Sequence, residues 1–75
     1  MFKVAKKWDL SILEEYGFKH QNALYNFYEY KYNFSMIRIA EDTREMYVFE
    51  NTFTNELLKV IYKLIKNGII EEVNE

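Results

Sequence analysis

Apolar and polar positions alternate through the middle of the chain and recur with a helical rhythm near its end. Leu24, Tyr25, Phe27, Tyr28, Tyr30, Tyr32 and Phe34 crowd into one short stretch, and Ile37, Ile39, Tyr47, Val48 and Phe49 follow. Aromatic and β-branched side chains at this density suit a pleated, half-buried surface, so residues 22–50 predict antiparallel β-structure around which the rest is organised. One strand over 24–40 would exceed the usual limit of about 10 residues, and Asn33 is the best break. The predicted strands are 24–32, 35–40 and 44–50, the last two joined by a polar connection at Glu41-Asp42-Thr43. Glu29 and Lys31 share a phase with Tyr25 and Phe27, and charges resist burial, so the other phase is placed inward. Leu24, Tyr28, Tyr30, Tyr32, Ile37, Ile39, Met46 and Val48 then face the core. Tyr25, Phe27, Met36, Arg38, Tyr47 and Phe49 face away from it.

The flanks predict supports for this sheet. Residues 9–16 read as a short helix with two competing starts. Asp9 as N-cap sets Trp8 and Leu13 in hydrophobic-staple positions, whereas Ser11 as N-cap makes a capping box with Glu14. Asp9 is preferred because it gives Trp8 an apolar contact. Gly17 ends this helix in the left-handed conformation and lets Phe18 fold onto Leu13. His20, Gln21 and Asn22 read as a polar turn. Near the end of the chain, Leu57, Leu58, Val60, Ile61, Leu64 and Ile65 fall on one arc at about 100° per residue. Glu56, Lys59, Lys63, Lys66 and Asn67 fall opposite. Thr52 or Thr54 can cap this helix, Gly68 closes it, and Ile69 packs back on Leu64. Residues 69–73 predict a short edge strand guarded by Glu71 and Glu72. Residues 1–7 read as an edge strand or as a frayed end. The expected fold is a single α+β domain over 1–75. It has two layers: a three- to four-stranded antiparallel sheet with a short N-terminal helix and an amphipathic C-terminal helix on one face.

Composition narrows the function. The 75 residues include no cysteine, so disulfides, thiolate nucleophiles and cysteine-ligated metals are excluded. A chain this short buries only about 60–65% of its unfolded surface. One Trp, seven Tyr and six Phe compensate with large areas per residue, and dimerisation is a second route to the same end. Net charge −2 gives no basic footprint for nucleic acid. No apolar run follows the N-terminal lysines as a signal peptide would require, and none approaches the ~20 residues of a membrane span. A cytoplasmic protein is the expectation.

No catalytic set can be assembled. His20 is the single histidine, with no pairing to Ser11 or Ser35 that would suggest a triad. Gly17 and Gly68 are isolated, so there is no phosphate-cradling loop and no cofactor is expected. The carboxylates at Glu14-Glu15, Glu41-Asp42 and Glu71-Glu72 read as solvated turns and helix faces. Neither a catalytic residue nor a metal ligand is expected.

The outward phase is what remains unexplained. Tyr25, Phe27, Met36, Arg38, Tyr47 and Phe49 would make an apolar patch around an arginine, with a cation–π contact expected between Arg38 and Tyr47. Patches of this composition mark protein interfaces. The competing reading is that both faces are covered, by the N-terminal segment or a second copy. The first functional expectation is therefore a non-enzymatic module that binds another protein through these six residues. Single-stranded nucleic acid stacking on the aromatics is second, against the charge. A structural homodimer is a further alternative, and an enzyme ranks last.

Three segments, DLSILEEYGFK (9–19), EDTREMYVF (41–49) and LLKVIYKLIKNGIIEEV (57–73), together resemble small phage and prophage proteins of low-GC Gram-positive bacteria. In these a short helix ending in YGF precedes an aromatic meander, and an L-I-x-x-G-[LI]-[IV]-E-x-V ending follows. Leu64-Ile65-Lys66-Asn67-Gly68-Ile69-Ile70-Glu71-Glu72-Val73 matches that ending. The resemblance implies no catalytic residues. It implies a setting, a stoichiometric inhibitor of a host protein such as an anti-CRISPR or other anti-defence protein, acting in the host bacterial cytoplasm.

Overall fold

The computed structural model describes residues 1–49 and 55–74. Among them the order is β1 (Phe2–Val4), a 3-10 helix (Leu10–Tyr16), β2 (Lys19–Asn22), β3 (Asn26–Tyr32), β4 (Ser35–Ala40), β5 (Met46–Phe49), α1 (Asn55–Lys66) and β6 (Ile70–Glu72). The fold is α+β and mostly strand. Its antiparallel sheets are a four-stranded one, β2-β3-β4-β5, and a two-stranded one, β1-β6.

The β3–β4 hairpin sets the register of the larger sheet. Asn33 and Phe34 connect Tyr32 to its partner Ser35, and Asn33 takes φ +54, which asparagine tolerates well. Counting back from that turn pairs Tyr30 with Ile37, Glu29 with Arg38 and Tyr28 with Ile39. Directly paired residues share a face, so Tyr28, Tyr30, Ile37 and Ile39 point together into the core.

Several elements depart from the sequence expectation. Residues 20–22 are not a turn but most of β2, which pairs with β3 and stacks His20 on Tyr28 with ring centroids 4.7 Å apart. The reversal lies at 23–25, where the Ala23 N–H donates to the Tyr25 carbonyl. Leu24 therefore stands fully exposed at a loop tip rather than inward, and the strand starts at Asn26. Val48 and Tyr32 keep the inward phase but remain partly open to water, Val48 because β5 is the last strand of its sheet. The first helix is 3-10, not α. At seven residues it closes tighter i→i+3 bonds, as in Ile12 N–H to the Asp9 carbonyl at 3.0 Å. Asp9 is its cap, accepting the Ser11 N–H at 2.9 Å. Gly17 takes φ +91 after it, and the Phe18 N–H donates to the Leu13 carbonyl.

The third predicted strand, 44–50, begins only at Met46, and Glu50 lies outside the described residues. Arg44 takes φ +65, which breaks the strand, and its carbonyl accepts the Val4 N–H at 3.0 Å. Its Nη1 donates to the carbonyls of Ala5 (3.0 Å) and Trp8 (2.9 Å). A bridge between Lys3 and Glu45 adds to this join. The N-terminal segment is thus a strand and not a frayed end, held by β6 on one side and by the start of β5 on the other.

α1 inserts Leu57 and Leu64, both fully buried, into a cluster with Leu13, Tyr28, Ile37, Ile39 and Ile69. Burying each such side chain contributes about 1.5–3 kcal/mol. Gly68 and Ile69 close the helix as predicted, the Ile69 N–H reaching the Leu64 carbonyl at 2.8 Å. The Trp8 indole N–H caps the same end, donating to the Gly68 carbonyl at 2.9 Å. Leu58 and Ile65, expected on the buried arc, are exposed. The candidate caps Thr52 and Thr54 lie outside the described residues.

Candidate protein-docking face

Strands β3, β4 and β5 present their outward residues as a grid of three rows. Phe27 and Ala40 form one row, extended by Glu45 just before β5; Glu29, Arg38 and Tyr47 form the next, and Lys31, Met36 and Phe49 the third. Arg38 is the centre. Its Nε donates to Glu29 Oε2 at 2.8 Å, and this charge-assisted bond, above all, raises the guanidinium pKa further. Its cationic carbon lies 4.7 Å from the Phe27 ring centroid and 5.5 Å from that of Phe49. These rings occupy opposite corners of the grid, within diagonal reach of a long side chain. The expected cation–π contact is therefore made with Phe27 and Phe49. Tyr47, although directly paired with Arg38, turns its hydroxyl to Glu45 Oε2, and that bond raises the Tyr47 pKa.

Tyr25 enters from the β2–β3 loop. Its ring stands 5.0 Å from Phe27, and its hydroxyl accepts a long bond from Arg38 Nη1 at 3.5 Å. The six predicted residues now separate by role. Tyr25, Tyr47 and Phe49 are 55%, 43% and 48% exposed and form walls. Phe27, at 6%, is the floor beneath Arg38 and Tyr25. Together with Arg38 they line an open groove of about 420 Å³. Met36 is half-buried and lies across from Phe49, outside the groove.

Sequence reading missed Ala40, Asp42 and Thr43, which complete the lining, and Glu29, which fixes the arginine. Glu29 was findable, since a two-residue turn at Asn33-Phe34 places it opposite Arg38. The acidic rim at Asp42 was not, because it depends on the backbone path of the β4–β5 connection. There Asp42 Oδ1 accepts the Thr43 N–H at 2.7 Å, which holds the carboxylate at the rim.

Among the described residues no three His, Cys, Asp or Glu side chains gather as metal ligands, and no helix is long and apolar enough to cross a membrane. Comparison of the chain with protein-family models, with curated proteins and with solved structures finds no match.

Proposed function

We propose that the protein is a small non-enzymatic binding module that grips another protein with the groove around Arg38. The observation that carries this reading is the exposure of Tyr25, Tyr47 and Phe49 around an arginine already fixed by Glu29. Rigid aromatic walls lose little side-chain entropy on binding, and a pre-positioned guanidinium adds orientation. In this reading the four-stranded sheet and the helices act as two layers, with the inner layer providing stability and the outer face left for the partner. The setting comes from the resemblance of residues 9–19, 41–49 and 57–73 to small phage and prophage proteins: a stoichiometric inhibitor that occludes a host protein, of the anti-CRISPR or anti-defence kind, in the bacterial cytoplasm.

The test is a pulldown from a low-GC bacterial lysate followed by titration of the captured partner. The Y47S/F49S variant should keep the wild-type circular dichroism spectrum. If these residues are hot spots, it should bind at least about 30-fold more weakly, equivalent to about 2 kcal/mol. Unchanged affinity would reject the groove. The aromatic walls also favour single-stranded nucleic acid as a second reading, opposed by the carboxylate of Asp42 on the groove rim and by that of Glu45 at the Tyr47 hydroxyl. Anisotropy of a labelled oligonucleotide at low salt separates the two, and absence of binding there removes the second.

A further inference from the structure

We propose that the outer side of α1 is a second docking surface whose partner is an acidic amphipathic protein segment. Leu58, Tyr62 and Ile65 are 43%, 63% and 45% exposed. They stand at i, i+4 and i+7, so they form one continuous ridge along the helix. Leu57 and Leu64, one residue before each end of that ridge, are the fully buried anchors. The ridge is thus apolar surface left over after the helix has filled the core, and it does not touch the groove around Arg38. No α1 residue lines that groove.

Charge identifies the occupant. Lys59 and Lys66 flank Tyr62 at i−3 and i+4, and α1 carries three lysines against one glutamate in a chain of net charge −2. Glu56 accepts from Lys59 Nζ at 3.5 Å, and Glu15 lines a cleft with Lys59 and Lys63. Lys66 lies outside that cleft, at the ridge's C-terminal end. A second copy fits poorly. Antiparallel pairing about Tyr62 would set Leu58 against the other copy's Ile65, and it would also set Lys59 beside the other copy's Lys66, a repulsive pair. A lipid surface fits poorly as well. Lysines border the ridge on one flank only, and the other flank turns through half-buried Ile61 into the core, so the open apolar arc is too narrow for interfacial insertion. Apolar contacts to the ridge with carboxylates facing Lys59 and Lys66 satisfy both features.

The test uses the full chain, isotope-labelled for amide NMR. It is titrated with a designed helical peptide carrying leucines at i, i+3, i+4 and i+7 flanked by glutamates, and with a twin whose glutamates are lysines. Shifts centred on Leu58, Tyr62 and Ile65 are expected with the acidic peptide, and binding about tenfold or more weaker with the twin. L58S/I65S should abolish the shifts. K59E/K66E, which leaves the ridge intact, should reverse the preference between the twins. Equal binding of both peptides, shifts elsewhere, or no shifts at all would overturn the proposal. So would co-sedimentation with phosphatidylserine vesicles without a response to the acidic peptide, or a concentration-dependent dimer abolished by L58S/I65S.

Discussion

The guanidinium of Arg38 roofs the ring of Phe27, 4.7 Å from its centroid, and the same side chain donates to Glu29 at 2.8 Å. One residue therefore covers the groove floor and neutralises a largely buried carboxylate. Arg38→Met keeps the stem but removes the hydrogen-bonded cation from Glu29, leaving Lys19 across the strand pair as a neighbouring charge. It should destabilise the fold by about 1–3 kcal/mol in urea titration, because a carboxylate whose side chain is only 13% exposed loses its charge-assisted bond. Adding Glu29→Gln should recover part of that loss, and the double-mutant cycle should show coupling of about 1 kcal/mol. Additive effects would mean that the pair contributes nothing as a pair.

Arg44 sits in the left-handed region at φ +65 and bonds two carbonyls of the N-terminal segment. Arg44→Ala keeps the backbone strain and loses both bonds, with an expected cost of about 1–3 kcal/mol by chemical denaturation. Arg44→Gly loses the same bonds but relieves the backbone, and should be more stable than the alanine variant by about 1 kcal/mol. Hydrogen exchange at the Val4 amide should quicken in both, since its acceptor is the Arg44 carbonyl.

This arginine also marks where sequence reading stops. The inward phase of Tyr28, Tyr30, Ile37 and Ile39, the Asp9 cap and both glycine stops were legible, because each depends on residues within a turn or a strand period of one another. β2 was not. Its residues Lys19–Asn22 are polar and all but the half-buried Gln21 are exposed, and they become a strand through pairing with β3 rather than through their own propensity. Leu58 and Ile65 misled for a related reason. Their place on the helical arc is correct, but the core is narrower than the arc, and only neighbouring elements set its width. The groove residues were legible as a phase. Division into walls and floor needed the diagonal reach of Arg38 across the sheet.

The two glycines make a contrast that separates strain from crowding. Both have positive φ, +91 at Gly17 and +70 at Gly68. A Cβ on Gly17 would stand 3.1 Å from Tyr30 Cε2, whereas one on Gly68 would meet nothing within 4 Å. Gly68→Ala should cost only the backbone penalty, about 1–2 kcal/mol. Gly17→Ala should cost that penalty and also displace the Tyr30 ring, which lies 5.7 Å from Phe18 between centroids. A larger loss of midpoint at Gly17, with near-ultraviolet dichroism altered only there, is the expected outcome. Equal losses would remove the crowding term.

Stability should bend at both ends of the pH scale, for opposite reasons. The Ser11 backbone N–H, followed by its side chain, holds the Asp9 carboxyl below the ordinary 3.8. A group depressed on folding stabilises the fold above its unfolded value and loses that contribution as pH falls through the folded one. Asp9→Asn keeps a capping oxygen without a titrating proton, so its stability should fall less steeply below about pH 4 than that of the wild type. Tyr47 behaves in the opposite sense, its hydroxyl pushed above 10.0 chiefly by the bond to Glu45. A group raised on folding contributes fully below its unfolded value and loses that contribution as pH rises through the folded one. Tyr47→Phe should therefore flatten the alkaline limb, and of the two late-titrating rings in the wild-type tyrosinate absorbance, Tyr47 and the burial-shifted Tyr28, the variant should keep only Tyr28. If the two variants track the wild type at both extremes, neither hydrogen bond couples ionisation to folding.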